Sequence, residues 1–354
     1  MSIELVISLV KANIVLAVLL TNTILLIWFE RKVVAGMQSR VGPDRAGPFG
    51  ILQTLADAIK LLLKEQILPS KADRAMYLLA PLIALVPSFL IFMIIPLGPD
   101  ITVEWQNALY TIPLVGADLN VGVLYFLALS SIAVYSVVLA GWSSGSKYPL
   151  LGGVRASAQM ISYEAAMGLA LVPVILYSGS LSLVDIVNSQ SGNLSSSIPI
   201  LNTIVSFIPK WNIFPQFVAF GIFFIAAVAE VNRAPFDLVE AEQELVGGFH
   251  TEYSGFRFAM FFLAEYINMF NMCAITATFF LGGWLGPTFE GILPPIFSVI
   301  MPIIWLGVKT FLLLFVFVWI RATLPRLRYD QLMELGWKRM IPLSLVWLIL
   351  SAIV

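Results

Sequence analysis

Residues 75–95 read AMYLLAPLIALVPSFLIFMII, a run of 21 residues without a charged side chain. A helix that crosses the hydrocarbon core of a bilayer needs about 20 predominantly apolar residues, so this run is long enough to span. Pro81 and Pro87 lie inside it, and membrane helices tolerate proline because the freed backbone groups find other partners. The run therefore predicts a kinked transmembrane helix and an integral membrane protein.

The composition of the whole chain agrees with this prediction. Of its 354 residues, 59% are hydrophobic and 12% are charged, whereas soluble domains carry roughly 25% charged residues. Eight apolar runs have spanning length: 5–29, 75–95, 119–142, 156–177, 212–229, 258–281, 297–320 and 337–354. Further prolines inside these runs include Pro173, Pro215 and Pro302. We expect an all-α fold in which residues 1–354 form a single polytopic membrane domain.

Rare residue types exclude several classes of protein. Cys273 is the one cysteine and His250 the one histidine. An internal disulfide, a cysteine-ligated iron–sulfur cluster, a zinc ribbon and bis-histidine haem ligation are therefore excluded. The formal net charge of −1 gives no global basic field, so we expect no nucleic-acid partner. We also expect the chain to bind no metal and no redox cofactor of its own.

The distribution of basic residues predicts the orientation of the chain. The loops 30–74, 143–155, 230–257 and 321–340 hold 17 of the 20 lysines and arginines, whereas the opposite loops hold Lys210 alone. Basic residues accumulate in loops on the cytoplasmic side of a membrane. These four loops are therefore expected to face the cytoplasm (or matrix or stroma), with both termini on the trans side.

The cytoplasmic loop 30–74 contains the pattern of an amphipathic helix of about 15 residues. One face carries Leu52, Leu55, Ile59 and Leu62, and the remainder carries Gln53, Asp57, Lys60 and Lys64. Because the helix is too short to span, it is expected to lie in the membrane interface. Two functions stay open: a basic anchor on anionic lipid, which composition alone favours, and the floor of a site for a lipid-like ligand.

The cytoplasmic loop 230–257 is unusually acidic. Its six acidic residues are Glu230, Asp237, Glu240, Glu242, Glu244 and Glu252. Pro235 and Asp237 suit the start of a helix, and Gly247–Gly248 suits its end. A solvated acidic helix is one interpretation. The density of interleaved apolar residues favours another, in which the segment folds back into the protein and partly buries carboxylates whose proximity raises their pKa values.

Four ionisable residues lie within or at the edge of the predicted spans: Glu164, Glu230, Glu265 and Lys309. An ionisable side chain at the centre of a bilayer costs about 2.5–3.5 kcal/mol, and such residues commonly mark ion or proton paths. A structural pair between a glutamate and Lys309 is the alternative. Together with the acidic loop, the three glutamates predict one continuous polar track near the cytoplasmic face.

Several long stretches resemble a known family. They are residues 30–65, 157–174, 229–258, 259–269, 281–284 and 321–345, and they are distributed over nearly the whole chain. The blocks NRAPFD (232–237) and RATLPR (321–326) are long and specific. On these residues the chain resembles the ND1-type family of membrane subunits, also called H subunits, of the NADH-quinone oxidoreductases, which comprise respiratory complex I and its relatives.

The resemblance implies a fold and a set of partners. The family has eight transmembrane helices and an amphipathic surface helix, which agrees with the independent count above. The family member sits at the heel of an L-shaped complex in an energy-transducing membrane (a bacterial or archaeal inner membrane, or a thylakoid). There it meets other membrane subunits and a hydrophilic arm that contains iron–sulfur subunits. Quinone is the substrate of that complex, and this chain carries no redox cofactor.

The resemblance also implies roles for individual residues, none of them catalytic in itself. The quinone-binding positions correspond to Arg31, Asp57, Lys60 and Arg321. The proton-coupling positions correspond to Glu164, Glu230, Glu240, Glu242, Glu244 and Glu265. A free-standing cation or proton transporter is the main alternative, since it explains the intramembrane carboxylates but not the long cytoplasmic blocks. A purely structural membrane anchor explains no buried acids.

Overall fold

The computed structural model describes residues 3–105, 108–193, 209–237, 246–287 and 296–353. The helices in this part of the chain are α1 (Ile3–Met37), α2 (Gln53–Leu63), α3 (Arg74–Met93), α4 (Gly122–Ser143), α5 (Lys147–Ser178), α6 (Leu183–Ser189), α7 (Phe217–Glu230), α8 (Gly255–Phe280), α9 (Ile296–Thr323), α10 (Tyr329–Glu334) and α11 (Ile341–Ile353). A π-helical turn, Leu335–Met340, joins α10 to α11, and short 3₁₀ turns occupy Pro48–Gly50 and Gly248–His250. The short helix α6 lies in the segment that joins α5 to α7.

Seven helical segments among the described residues are long and apolar enough to cross a membrane. They comprise α1, α3, α4, α5, α8, α9 and the continuous segment Tyr329–Ile353. The chain is therefore a multi-pass, all-α membrane protein, as the sequence predicted. The surface helix α2 is also confirmed, although its 11 residues make it shorter than expected.

The fifth predicted span, 212–229, differs from the structure. Only the 14 residues of α7 are helical, which corresponds to about 21 Å against a hydrocarbon core of about 30 Å. Residues 212–216 form turns instead. Pro215 explains this boundary, because proline has no N–H for a helix interior and disfavours the α conformation in the residue before it. Pro215 therefore precedes a helix and does not kink one.

Hydropathy also placed the starts of two spans too late. Helix α5 begins at Lys147, not at 156, and the last helical segment begins at Tyr329, not at 337. Both helices extend on the N-terminal side of their apolar portions, because the backbone hydrogen bonds of a helix do not require apolar side chains. A short antiparallel hairpin, β1 (Ile101–Trp105) with β2 (Ala108–Ile112), lies between α3 and α4, in a segment to which the sequence analysis assigned no structure.

The four basic loops meet at one end of the bundle. Three hydrogen bonds join them: Asp73 N to Ser143 O at 2.9 Å, Ile67 N to the Ser254 hydroxyl at 3.0 Å, and Leu327 N to Pro235 O at 3.0 Å. A Cβ on Gly152 of α5 would lie 2.7 Å from Gly248 Cα, so glycine permits the acidic loop to approach α5 closely. This end of the bundle carries the polar site.

Candidate functional site at the basic end of the bundle

A buried arginine joins two helices at the centre of the polar site. Arg233 follows α7, and 4% of its side chain is exposed. Its Nη1 donates to Glu30 Oε1 of α1 at 3.0 Å, and its Nε lies 2.6 Å from Glu265 Oε1 of α8. The guanidinium also lies over the ring of Tyr266, 4.5 Å from the ring centroid, in a cation–π contact. One cation is thus shared by carboxylates from two helices.

Further ion pairs surround this arginine. Arg321, in the last turn of α9, also contacts Glu30, so Glu30 lies between two arginines. Arg326 pairs with the buried Asp237 at 3.2 Å. A buried charge costs several kcal/mol unless it is paired, and these contacts supply the compensation. The network holds α1, α8, α9 and the loop after α7 together.

The loop after α7 is held in place by hydrogen bonds to its backbone. Asn232 has φ of 54°, in the left-handed region that asparagine adopts more readily than most residues. The fully buried Gln159 of α5 donates through Nε2 to the carbonyl oxygens of Ala229 and Phe236, each at 2.8 Å. These bonds fix the loop on both sides of Arg233 and set the position of its side chain.

The guanidinium of Arg233 stays protonated. Burial works against the charged guanidinium, but the nearby carboxylates of Glu265 and Glu30 outweigh this effect and hold the pKa of Arg233 well above its ordinary value. Arginine already stays protonated in proteins. The carboxylates around it are therefore the groups in this network that are able to exchange protons.

A cavity adjoins the network on the side of α7 and α8. The space in which the centre of a water molecule can lie measures about 80 Å³, and its polar lining is Ser136, Glu230, Asn232, His250, Glu265 and Asn268. In the described part of the chain, no hydrogen bond reaches Glu230 Oε2, Asn232 Oδ1 or Asn268 Oδ1, and all three atoms are buried. At about 10–15 Å³ per water, the cavity has room for several molecules that would satisfy these oxygens.

The structure brings the three intramembrane glutamates together. Glu230 and Glu265 line the same cavity. Glu164 of α5 is close enough to Glu230 for its charge to act on that group, and it accepts hydrogen bonds from Ser130 and Ser131 of α4. The predicted positions Glu240, Glu242 and Glu244 lie outside the described residues, as does most of the predicted acidic helix.

The predicted quinone-binding residues occupy the more exposed side of the same region. Arg31 Nη1 of α1 lies 2.5 Å from Asp57 Oδ2 of α2, and Gln53 Nε2 donates to Asp57 Oδ1 at 3.0 Å. Lys60 is exposed on α2. The structure therefore brings Arg31 and Asp57 together, leaves Lys60 on the surface, and places Arg321 against Glu30.

Lys309 pairs with no glutamate among the described residues, which favours the other of the two interpretations. It is buried, and its Nζ donates to the carbonyl oxygens of Leu281, Gly283 and Leu285 at 2.6, 2.9 and 2.5 Å. It also lies 4.3 Å from the ring centroid of Trp211. The last carbonyls of a helix lack partners within that helix, and the ammonium group satisfies those at and beyond the end of α8.

Three members of the ion network, Glu30, Arg233 and Arg326, were missed by the sequence reasoning. All three lie in stretches that carry the family resemblance. A usable signal was present for Arg233, since it is the one basic residue near the start of an otherwise acidic loop with apolar residues on both sides. A cation in such surroundings predicts a buried partner of opposite charge.

Among the described residues, no three histidine, cysteine, aspartate or glutamate side chains come together as metal ligands. Cys273 is a fully buried free thiol in α8. That the chain binds no cofactor of its own stays a prediction.

Comparison with known proteins gives a consistent family. The model of a family described as NADH dehydrogenase matches residues 10–352. A protein of Koribacter versatilis, named as the second H-type subunit of its NADH-quinone oxidoreductase, is 47% identical over 99% of this chain and 97% of its own length. The protein of the same name from Syntrophobacter fumaroxidans is 51% identical over 95% and 92%. The corresponding H-type subunit from Ralstonia nicotianae is 50% identical over 98% and 91%.

Proposed function

The chain belongs to the NADH dehydrogenase family, and from this premise we propose that it is the membrane subunit that forms much of the quinone chamber of an NADH-quinone oxidoreductase and couples quinone reduction to proton pumping. In this proposal the enzyme is the whole complex. The chain contributes the membrane part of the quinone site and the buried acids that respond to quinone chemistry.

One observation carries the proposal: a continuous series of charged side chains runs from the part-exposed Arg321 to the buried cavity. Arg321 contacts Glu30, Glu30 contacts Arg233, and Arg233 contacts Glu265. Glu265 then shares the cavity with Glu230. A charge that appears near Arg321 therefore has a short, poorly solvated route by which to act on carboxylates that bind protons.

The surface helix supports a path for a quinone from the bilayer. Helix α2 packs against α1 and α8, and its apolar face is exposed. That face would take an isoprenoid tail, while Arg31, Asp57 and Arg321 would meet the polar head group. Lys60, exposed on the same helix, would contact the head group or an anionic lipid. Reduction of the head group creates negative charge and a demand for protons, which the glutamates would supply or sense.

The partners follow from the chemistry of the chain. A sequence with one cysteine and one histidine does not ligate the iron–sulfur clusters that deliver electrons, so these belong to subunits of a hydrophilic arm. That arm would dock where loops 30–74 and 230–257 meet, and other membrane subunits and lipid would cover the sides of the bundle. The complex would reside in an energy-transducing membrane, with quinone as its substrate.

The test uses Glu265→Gln in the purified complex reconstituted into liposomes. Gln keeps the size of the side chain and removes its charge. We expect normal electron input when an artificial acceptor takes electrons from the hydrophilic arm, and a joint loss of quinone reduction and proton pumping. Glu334→Gln, at an exposed carboxylate of α10, is the matched control. Wild-type quinone reduction and pumping in Glu265→Gln would contradict the proposed coupling.

A further inference from the structure

We propose that Arg233 is a positioning residue that switches between Glu265 and Glu30, so that an anion arriving at Arg321 releases Glu265 to take up a proton. This inference rests on the proposed function and adds to it the physical element that transmits the charge. The anion is the reduced quinone head group or another group of the same charge. The switch moves a guanidinium between two carboxylates.

The geometry of Arg233 permits two arrangements. Its Nη2 and the Oε2 atom of Glu30 are both buried, and neither has a hydrogen-bond partner within the described ranges. The contact between its Nε and Glu265 is a close ion pair at 2.6 Å, but it lacks the alignment of a hydrogen bond. A small shift would let the guanidinium fork bind both oxygens of Glu30, as arginine favours with carboxylates, at the expense of Glu265.

The competition for Glu30 sets which arrangement prevails. Glu30 is contacted by Arg321 as well as by Arg233. Arg321 is 30% exposed, whereas Glu30 is buried, so an anion reaches the arginine first. An anion that contacts Arg321 weakens its hold on Glu30. Because Glu30 is buried, water does not solvate its carboxylate, and its ion pair with Arg233 becomes stronger.

Glu265 is suited to take the proton. It is 26% exposed and lines the cavity, so proton-bearing groups or water reach it. A carboxylate that loses a neighbouring cation binds a proton more readily. The charges balance: one negative charge arrives at Arg321, an O–H bond of a hydronium ion breaks on the cavity side, one O–H bond forms at Glu265, and both arginines stay protonated.

Titratable groups from several elements face this switch. They are Glu30 on α1, Tyr266 on α8, Arg321 on α9, Glu230 at the end of α7, and His250 across the cavity. Tyr266 presents its ring face to the guanidinium, which allows the cation to slide without losing the contact. Glu230 and His250 lie on the cavity side, from which the proton would come.

The experiment is infrared difference spectroscopy of the whole complex with bound quinone, before and after complete chemical reduction. The signal is the protonated-carboxyl band that forms on reduction, expressed per quinol produced, so that a slow quinone step does not affect it. We expect the band in the wild type and in Glu334→Gln. We expect it to be lost in Glu265→Gln, which assigns it, and in Glu30→Gln, where Arg233 has no competing carboxylate.

Arg233→Lys is the second variant, because it preserves the charge of the cluster if Glu30→Gln prevents assembly. A lysine ammonium lacks the planar fork that serves two carboxylates, so we expect the band to be lost here as well. The switch would be overturned if the band is lost in Glu265→Gln but is complete in Arg233→Lys, and in Glu30→Gln where that variant assembles. This outcome would leave the proposed function standing. An unchanged band and normal pumping in Glu265→Gln would instead contradict the proposed function.

Discussion

Arg31 and Asp57 form an ion pair between α1 and the surface helix α2, with Nη1 and Oδ2 2.5 Å apart. Both side chains are more than a third exposed, at 39% and 36%. Exposed pairs of this kind contribute about 0–1 kcal/mol to stability. The pair therefore does little to hold the fold together, and its polar groups are available to a ligand that lies along α2.

We predict that Asp57→Asn or Arg31→Ala leaves the complex assembled and weakens the reduction of a long-tailed quinone. The measurement is the rate of quinone reduction as a function of quinone concentration in purified complex of normal subunit content. Lys64→Ala is the control, since it removes a charge from the exposed end of α2 without touching this pair. If Lys64→Ala and Arg31→Ala, which each remove one positive charge, reduce activity equally, adhesion to anionic lipid explains the effect better than a quinone chamber does.

The sequence predicted the parts of this site that depend on local pattern. The period of apolar residues predicted α2, and the isolated acids in apolar runs predicted Glu164, Glu230 and Glu265 as one group. It did not predict the partners of Glu30, because Arg233 and Arg321 lie 203 and 291 residues away along the chain. Pairing over such separations depends on how helices pack, and no periodicity encodes it.

Lys309 illustrates a different limit of sequence reasoning. Charge complementarity suggests a carboxylate partner for a buried lysine, yet the ammonium binds backbone carbonyls. Every residue carries such a carbonyl, so the sequence contains no sign of which ones are left without partners. The same limit explains the wrong start of the fifth span near Pro215. Hydropathy measures how apolar the side chains are, but it does not register that proline lacks a backbone N–H donor.

We predict that Lys309→Met loosens the segment after α8. Methionine keeps much of the volume but leaves three carbonyl groups without their donor, and an unsatisfied buried acceptor costs about 1–3 kcal/mol. Hydrogen exchange followed by mass spectrometry should show faster exchange across residues 281–285. Lys338→Met, at an exposed lysine, should leave this segment unchanged. Unaltered exchange in Lys309→Met would mean that the contacts with the carbonyls contribute nothing to local stability.

We predict that α10 faces the cytoplasm and α6 the trans side. The four basic loops lie at one end of the bundle, and α6 lies in an external loop on the opposite side of the predicted topology. In intact cells, an impermeant thiol reagent should label Asp185→Cys and should label Glu334→Cys only after the membrane is opened. Both positions are exposed, and the native Cys273 is fully buried and gives little background. The reverse labelling pattern would invert the orientation.

We predict that Glu230→Gln reduces quinone reduction and proton pumping together while the complex remains assembled. Glu230 is buried and lines the cavity, its Oε2 atom receives no hydrogen bond from the described residues, and the charge of Glu164 acts on it. Replacing it with glutamine removes a group that binds and releases protons, and among the described residues no cation loses an ion-pair partner, so the fold should tolerate the change. The measurement is the number of protons translocated per quinone reduced in liposomes, together with electron input to an artificial acceptor.

The control for Glu230→Gln is Asp330→Asn, at an exposed acid of α10. An amide cannot replace a carboxylate that takes part in proton transfer, because an amide does not bind or release a proton in this range of pH. Normal pumping and normal turnover in Glu230→Gln would therefore mean that the residue only fills space, and that the route to the cavity ends at Glu265.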